Sequence, residues 1–248
     1  MAAGVNYVAS MQAAETAAAD HGWTLSSDSS WEGYINLPYI LMEGYLHMAA
    51  EAVAQCPSVP THIFLQAGMG GLAGAVAAYA RDAWGDGPTI TVVEPETAPA
   101  LQASIAAGKC VFAGGADSIM GRLDCKEPSL IALNGLGRDA DYFLTLHDAA
   151  VLAELGPMAE NGLATTALGG AGGAAVMNPA VRAALGVMET SRVLYILSEG
   201  PELKWSQKIG QSAKVYPKPL KGYEMAKRRN FTDAFKAKVA LEALRGDK

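Results

Sequence analysis

The sequence is poor in the residues that build disulfide frameworks and metal sites. Of its 248 residues, three are cysteine and four are histidine, and no CxxC pair occurs. An odd number of cysteines without paired spacing argues against a disulfide framework, and scattered histidines argue against a zinc site. We therefore predict that the protein holds no metal.

Long apolar runs are also absent. No run reaches the roughly 18 residues needed to cross a membrane, and the N-terminal MAAGVNYVAS has neither the basic flank nor the apolar stretch of a secretory signal. Only 18% of the residues are charged while 50% are apolar, which excludes disorder for most of the chain and allows a sizeable core. These observations predict a cytoplasmic protein without a membrane partner.

Basic residues are scarce in most of the chain and concentrated at its end. Residues 201–248 hold 12 of the 19 Lys and Arg but only 5 of the 25 Asp and Glu, which gives this part a net charge of +7. Residues 1–200 hold the remaining 7 basic and 20 acidic residues, a net charge of −13. This shift in composition divides the chain into two parts of different character.

Short β-rich runs alternate with longer Ala-rich helical runs from residue 59 onwards, which is typical of an α/β domain with a mostly parallel sheet. The predicted strands are nearly all apolar, as expected of strands buried on both faces, and cover 61–68, 89–96, 109–115, 141–148 and 192–200. Helices are predicted between them at 71–84, 98–108, 148–159 and 172–186. Ahead of this domain the sequence predicts a helix at 6–22, a short strand at 23–28 and a long helix at 36–56.

A glycine-rich segment, Gln66–Leu72, lies where the first of these strands ends and a helix begins. Glycines allow successive backbone N–H groups to point into one concavity, and the N-terminus of a helix adds positive potential. The segment is therefore a candidate phosphate-binding loop, although no lysine follows the glycines as it would in a nucleotide P-loop. A simple tight turn is the structural alternative.

The same glycines fit a second pattern, the GxGxxA fingerprint of dinucleotide-binding proteins, from Gly68 to Ala73. Glu94 then stands near the place of the acid that binds the ribose. Such a fingerprint normally follows the first strand of its domain, whereas about 60 residues with predicted structure precede it here. The pattern alone leaves both hypotheses open.

Two further features contain candidate site residues. A second glycine cluster, Thr165–Ala174, opens a predicted helix and allows either a ligand contact or close helix packing. Asp28 lies in SSDSSWEGY among small hydroxyl residues. In such a turn a carboxylate is more often a helix cap or an Asx turn than a catalytic group.

Read in order, these segments resemble diaminopropionate ammonia-lyase, a pyridoxal-phosphate (PLP) enzyme of the fold type II, tryptophan-synthase-β-like group. The resemblance covers nearly all of residues 1–200 in collinear order and is carried by GVNY, DSSWEGY, THIFLQAGMGGLAG, VVEP, IMGRLDCKEP, HDAAVLAEL, the second glycine cluster and ILSEG. It implies a fragment of a three-layer α/β fold with a mostly parallel sheet. Residues 1–58 would be a remnant of the smaller domain with a crossover helix, and residues 59–200 part of the larger PLP-binding domain.

The resemblance also implies the chemistry. In the family, PLP binds 2,3-diaminopropionate, the α-proton is removed and the 3-amino group departs, which leads to pyruvate and ammonia. The cofactor's ring delocalises charge, while the protein supplies orientation, a base and an anchor for the phosphate. We therefore expect PLP as the cofactor, a small amino acid as the substrate and a homodimer as the assembly.

Three sets of site residues follow from this resemblance. The family's phosphate loop matches five residues, Gly68, Met69, Gly70, Gly71 and Leu72. Asp28 matches an acidic residue with a proton-transfer role. Gly169 and Gly170 match the segment near the pyridine nitrogen, where the family pattern has a serine and this sequence has Leu168 and Ala171.

The family's Schiff-base lysine lies upstream of GVNY, in a segment that we expect this chain to lack. Within residues 1–200 the lysines are Lys109 and Lys126, and neither lies in a matching motif. Without covalent attachment of the cofactor we expect the chain to be inactive alone. Loss of that segment would also expose unpaired sheet edges and apolar surface.

The family pattern stops after ILSEG. Residues 201–224 lack periodicity and are predicted to be a linker, and residues 225–248 are predicted to be a basic helix with Thr232 as its N-cap. The last stretch resembles the beginning of the helix-turn-helix protein of insertion-sequence transposons, but only one helix of it is present, so no specific nucleic-acid binding is expected. The alternative to an enzyme is therefore a non-catalytic product of a lyase gene that a mobile element has interrupted.

Overall fold

A computed structural model describes residues 7–201 of the chain. Two helices come first, α1 at Tyr7–His21 and α2 at Asn36–Gln55. An alternating series of strands and helices follows: β1 His62–Gln66, α3 Gly71–Trp84, β2 Thr89–Pro95, α4 Ala100–Ala107, α5 Leu130–Asp139, β3 Tyr142–Leu146, α6 Asp148–Glu160, α7 Ala167–Met177, α8 Pro179–Leu185 and β4 Val193–Tyr195. A single 3₁₀ turn, Gly121–Leu123, lies between α4 and α5.

The four strands form one parallel sheet in the order β3-β2-β1-β4. Every residue of β1 is buried, as are all residues of β2 after Thr89, whereas β3 and β4 are partly exposed. The continuous apolar character predicted for buried strands therefore belongs to the two central strands. This arrangement confirms the predicted α/β class with a parallel sheet.

Helices cover both faces of the sheet because successive side chains of a strand point to opposite sides. Ile63 and Leu65 of β1 lie in one core cluster together with Val76 of α3 and Leu136 of α5, and α2 packs on α3. Phe64 points to the other face, into a cluster formed with α7. The result is a sheet between two helical layers.

The predicted helix at 172–186 is in fact two helices. Proline has no N–H and so cannot continue an α-helical ladder, and α7 ends before Pro179. The Asn178 carbonyl oxygen Oδ1 then accepts from the backbone N–H of Ala180 at 2.9 Å and caps α8.

Two predicted strands are wrong. Residues 23–28 and 109–115 have no strand structure. In the second segment the backbone N–H of Val111 donates to the hydroxyl of Ser104 in α4, and that of Ala113 donates to the carbonyl of Lys126, so neither bond goes to a neighbouring strand. The helix α5 was missed because Gly135 and Gly137 weaken its helical pattern.

The predicted division between residues 58 and 59 stays a prediction, although α2 and the crossover helix predicted at 36–56 agree closely. The linker predicted at 201–224, apart from Pro201, and the basic helix predicted at 225–248 lie outside the described residues. Within the described range, no helix combines the length and apolar character that crossing a membrane requires.

Candidate functional site

The loop between β1 and α3 has glycine at two positions, 68 and 70, where a larger residue does not fit. Gly70 has a φ of 95°, in the left-handed region that favours glycine. A Cβ there would lie 3.0 Å from the Cβ of Ala132 and 3.1 Å from Leu101. A Cβ on Gly68 would lie 2.6 Å from the backbone carbonyl oxygen of Arg122. The loop backbone therefore packs closely against three neighbouring segments, α4, α5 and the 3₁₀ turn that contains Arg122.

A cavity of about 400 Å³ opens at this loop, at the carboxyl end of β1. One wall is the stretch from Gln66 to Ala73, which includes all five residues of the predicted phosphate loop. Ligands of open parallel sheets bind at the carboxyl ends of the strands. The cavity is thus in the position that this architecture offers for a ligand.

The glycine loop gives this wall its anion-binding character. It leads directly into α3, a 14-residue helix whose N-terminal N–H groups have no intrahelical partners. Free N–H groups and the positive end of the helix dipole favour a phosphate or carboxylate. Glycine at positions 68 and 70 allows the loop backbone to lie close against its neighbours, and the loop together with the start of α3 fits the phosphate group of PLP.

Asp28 faces the same cavity from a second wall. Its Oδ2 accepts from the Tyr45 hydroxyl at 3.2 Å, and a Cβ on Gly71 would lie 3.2 Å from that oxygen. Burial raises the pKa of Tyr45, with the charge of Asp28 as the second cause, so the hydroxyl stays protonated and donates. The helix α2 begins only at Asn36, so Asp28 does not cap α2.

The opposite walls contain residues that sequence reasoning missed. Arg122, Leu123 and Cys125 form one of them, and Ser198 and Glu199 belong to the other. The motifs that contain them support the family resemblance, but no site role was predicted for these residues. A usable signal existed for Ser198, because residues that follow parallel strands gather at one edge of the sheet and Ser198 follows β4.

Ser198 supplies a hydroxyl where the glycine cluster lacks one. The Gln66 amide nitrogen donates to the Ser198 Oγ at 3.2 Å and to the carbonyl of Ile196 at 2.8 Å, which fixes the end of this wall. Leu168 lies in the cavity lining beside it. Ser198 therefore brings a hydroxyl to a cavity whose lining at the second glycine cluster is the apolar Leu168.

Gly169 and Gly170 lie inside α7 and outside the cavity lining. A Cβ on Gly169 would lie 2.6 Å from the Thr165 Oγ1, and one on Gly170 would lie 2.8 Å from the Thr165 Cγ2. Close packing accounts for both glycines. Their contact with a cofactor stays a prediction.

Charges at the cavity come from Asp28 and from an ion pair between Arg122 and Glu199. Glu199 also accepts from the Thr166 hydroxyl at 2.7 Å, which ties it to the start of α7. Cys125 lies nearby as a neutral thiol, because burial raises its pKa to about 12. It is therefore not a nucleophile at neutral pH.

Glu94, the acid of the dinucleotide hypothesis, has a structural task. It is fully buried, and its two oxygens accept from the backbone N–H groups of Leu101 at 2.7 Å and Gln102 at 2.9 Å. Burial raises its pKa to about 7 against the opposing effect of these two hydrogen bonds. Glu94 thus caps α4 and lies outside the cavity lining, so the hypothesis loses its ribose-binding acid.

The lysines of the described part of the chain lie away from the cavity. Within residues 7–201 they are Lys109, which is exposed, and Lys126, which is buried. The Lys126 Nζ donates hydrogen bonds to three oxygens, and neither lysine belongs to the cavity lining. This part of the chain supplies no lysine to the site.

Comparison with known proteins identifies a family. A family model described as "Pyridoxal-phosphate dependent enzyme" matches residues 2–199. Diaminopropionate ammonia-lyase of Escherichia coli K12 is 35% identical over 150 residues, and that of Salmonella typhimurium is 34% identical over 153 residues. The match covers 58% of this chain but only 38% of either relative, so the matched sequence spans well under half of their length.

Solved structures agree with the family. Holo diaminopropionate ammonia lyase from Escherichia coli superposes with a TM-score of 0.70 at 29% identity, covering 79% of this chain and 53% of that one. The same enzyme in complex with an aminoacrylate-PLP azomethine intermediate gives 0.69 at 28% identity, covering 79% and 54%. A fungal L-serine ammonia-lyase from Rhizomucor miehei, at 20% identity and a TM-score of 0.66 over 86% of this chain and 66% of that one, shares the fold.

Proposed function

Because the chain belongs to the family of pyridoxal-phosphate dependent enzymes, we propose that its cavity is the site of an ammonia-lyase acting on 2,3-diaminopropionate. The reaction is a β-elimination that yields pyruvate and ammonia. The observation that carries this proposal is that the glycine loop and Asp28, 40 positions before it in sequence, line one cavity. Relatives that are 34–35% identical bear the name of this enzyme.

The glycine loop holds the cofactor in this proposal. Backbone N–H groups of Gly68–Leu72 and the N-terminus of α3 bind the phosphate of PLP. When bound, PLP supplies a ring that delocalises negative charge from the substrate's α-carbon. Ser198 offers a hydroxyl on a different wall for a polar atom of the ring.

Asp28 moves a proton in this proposal. A carboxylate facing the cavity can accept a proton from a bound substrate, and positioned acids and bases of this kind contribute about 10²- to 10⁴-fold to a rate. The Tyr45 hydroxyl fixes Oδ2 by donating to it, which leaves Oδ1 free of that bond. Leu72, Leu123 and Leu168 give the cavity apolar sides that limit the access of water.

Further parts of the proposal concern the assembly and its setting. We propose that the enzyme takes a small amino acid as its substrate, works in the cytoplasm and forms a homodimer. These points rest on the resemblance to the relatives. A crosslinking or light-scattering measurement on the full chain tests the dimer.

The experiment uses the full chain incubated with PLP and 2,3-diaminopropionate, with pyruvate release followed by a coupled lactate dehydrogenase assay. The matched variant Asp28→Asn keeps the size of the side chain but cannot accept a proton at neutral pH. We expect it to bind PLP as well as the parent does and to release pyruvate about 10²- to 10⁴-fold more slowly. The variant also corrects for the slow reaction of free PLP.

Two results would contradict the proposal. A PLP-loaded chain that releases no more pyruvate than the Asp28→Asn variant would refute the proposed activity of this chain and would agree with the expectation that it is inactive without the family's Schiff-base lysine. A chain that does not bind PLP would support the alternative of a non-catalytic product. Borohydride reduction followed by mass spectrometry then shows whether Lys109, Lys126 or a lysine outside the described residues attaches the cofactor.

A further inference from the structure

The first turn of α5 is bonded to two loops of the cavity. Its N-cap residue is Ser129, whose backbone N–H donates to the carbonyl oxygen of Met69 in the glycine loop at 2.9 Å. The next two backbone N–H groups, of Leu130 and Ile131, donate to the backbone carbonyl oxygen and the hydroxyl of Ser30, each at 2.9 Å. Three successive N–H groups that have no partner within the helix are therefore paired with these two loops.

The hydroxyl groups of Ser129 and Ser30 join the two loops directly. Their Oγ atoms lie 2.6 Å apart, both residues are buried, and they are 99 positions apart in sequence. The Ser129 side chain makes no capping bond to its own helix, so its hydroxyl serves the contact with Ser30. Breaking such a buried pair is costly, because the remaining hydroxyl loses a partner that water does not replace.

The anchor at Ser30 lies two positions after Asp28, so it fixes the loop that presents this carboxylate to the cavity. From the glycine loop, a Cβ on Gly71 would lie 3.2 Å from the Asp28 Oδ2. A Cβ on Gly70 would lie 3.0 Å from the Cβ of Ala132 in α5. The two loops and α5 thus pack against one another, and a shift in the first turn of α5 changes the gap between the glycine loop and the carboxylate.

We propose that Ser129 is a positioning residue that sets the distance between the glycine loop and Asp28. Its backbone N–H holds the glycine loop through Met69, and its hydroxyl holds the Asp28 loop through Ser30. Ser129 itself lies outside the cavity lining. The link between the loops is independent of the proposed function, whereas its effect on the reaction rests on that function.

The link is tested without cofactor or substrate through Tyr45, whose hydroxyl donates to the Asp28 Oδ2. The full chain is labelled with 3-fluorotyrosine, and the Tyr45→Phe variant identifies the ¹⁹F signal of Tyr45. Asp28→Asn defines the position of this signal when the charge of the acceptor is removed. We expect Ser129→Ala to shift the signal away from its position in the parent and toward its position in Asp28→Asn, because Asp28 is no longer held in place.

Ser104→Ala is the matched control. Ser104 is also fully buried, and its hydroxyl accepts from the backbone N–H of Val111 at 3.0 Å, but it lies in α4 and outside the cavity lining. Both variants should lower the Tm by roughly 2 to 10 °C, because each removes a buried hydrogen bond. Only Ser129→Ala should shift the Tyr45 signal. If Ser129→Ala does not fold, Ser129→Cys takes its place, because a thiol has a similar size but bonds weakly.

Cofactor binding separates the two bonds of Ser129. Its φ is −65°, which proline also adopts, so Ser129→Pro removes the N–H together with the hydroxyl. We expect Ser129→Ala to bind PLP within about twofold of the parent and Ser129→Pro to bind it about tenfold more weakly. Pyruvate release by Ser129→Ala should slow about 10- to 100-fold at nearly unchanged KM, with no further slowing in the Asp28→Asn background.

The proposal is overturned if the Tyr45 signal of Ser129→Ala coincides with that of the parent, or if Ser104→Ala shifts it as far. It is also overturned if Ser129→Ala weakens PLP binding as much as Ser129→Pro, since the backbone N–H then has no separate role. Additional slowing by Ser129→Ala in the Asp28→Asn background would show that Ser129 does not act through Asp28. A parent chain that binds no PLP would instead count against the proposed function, and the Tyr45 signals would still decide whether the link exists.

Discussion

At Gly70, backbone conformation and packing both require glycine. Its φ of 95° strains any L side chain, and a Cβ would meet Ala132, Leu101 and Leu136 within 3.2 Å. We expect Gly70→Ala to lower the free energy of unfolding by about 1–3 kcal/mol and to weaken PLP binding at least tenfold. Urea unfolding and a PLP titration measure the two effects.

Gly44 is the matched control for that substitution. It lies inside α2 with φ in the ordinary helical region, and a Cβ there would meet nothing within 4 Å. Alanine in a helix interior is favoured over glycine by up to about 1 kcal/mol, so Gly44→Ala should be neutral or stabilising. Equal losses of PLP affinity in both variants would contradict a specific role for the loop.

Glu94 makes stability depend on pH through its buried carboxyl group. Its pKa is raised from 4.5 to about 7 in the folded chain, chiefly by burial. A raised pKa means that the folded state holds its proton more tightly, so this contribution is fully present below about pH 4.5 and is lost as the pH rises through about 7. The loss amounts to roughly 3 kcal/mol.

The variant Glu94→Gln removes this titration. As the pH rises from 4.5 to 7, we expect the parent to lose roughly 3 kcal/mol of unfolding free energy relative to Glu94→Gln. Denaturant unfolding across that range measures it. The exposed Glu160→Gln serves as the control, and a flat difference for Glu94→Gln would show that folding does not raise the pKa of the Glu94 carboxyl group.

At the scale of elements, the loop that carries Asp28 is tied to α5 by a buried serine. The Ser30 Oγ lies 2.6 Å from the Ser129 Oγ and accepts from the backbone N–H of Ile131 at 2.9 Å, so it caps α5 from outside the helix. Ser30→Ala should cost about 1–2 kcal/mol of unfolding free energy and slow pyruvate release through Asp28.

Ser26 provides the comparison for Ser30, because it lies exposed in the same loop. Ser26→Ala should stay within about 0.5 kcal/mol of the parent in urea unfolding. If Ser30→Ala changes stability but leaves the pH profile and the rate of pyruvate release unchanged, the link does not position Asp28.

The sequence predicts elements well where local pattern and tertiary packing agree. The segment 71–84 was predicted with the bounds that α3 has, because its alanine-rich face is buried throughout and glycine marks its ends. The strand predicted at 109–115 is wrong because the backbone N–H groups of Val111 and Ala113 donate to the Ser104 hydroxyl and the Lys126 carbonyl instead of to a neighbouring strand. In contrast, α5 forms although no helix was predicted there, because its packing on α3 outweighs the two glycines inside it.

The residues of the candidate site also fall into two groups, those that the sequence could predict and those that it could not. The glycine loop and Asp28 could be predicted because each lies in a contiguous motif, and both line the cavity. Tyr45 could not, because only the fold brings it to the cavity, whereas the position of Ser198 after β4 was a signal that sequence reasoning did not use. Glu94 was placed correctly at the end of its strand, but nothing in the pattern shows that its oxygens are turned to the start of α4.

At the scale of the whole molecule, the chain has two partly exposed edge strands and several exposed aromatic and aliphatic side chains. The strands β3 and β4 form the edges of the four-stranded sheet described here, and Trp23, Ile40 and Met188 each have more than 60% of their surface exposed. Ligand binding is one source of stability that such a chain can gain, because a ligand that binds only the folded state shifts the folding equilibrium.

PLP should therefore raise the Tm of the full chain, and the phosphate should be the reason. At about 100 times the dissociation constant a ligand adds about 2.7 kcal/mol, which corresponds to roughly 5–10 °C for a chain of this size. Inorganic phosphate should give part of this shift and compete with PLP, because both use the N–H groups at the start of α3. Pyridoxal without phosphate should give little, and Gly70→Ala should reduce the shift from PLP and from phosphate alike. Equal stabilisation by pyridoxal and PLP would show that ring contacts, rather than the glycine loop, hold the cofactor in this cavity.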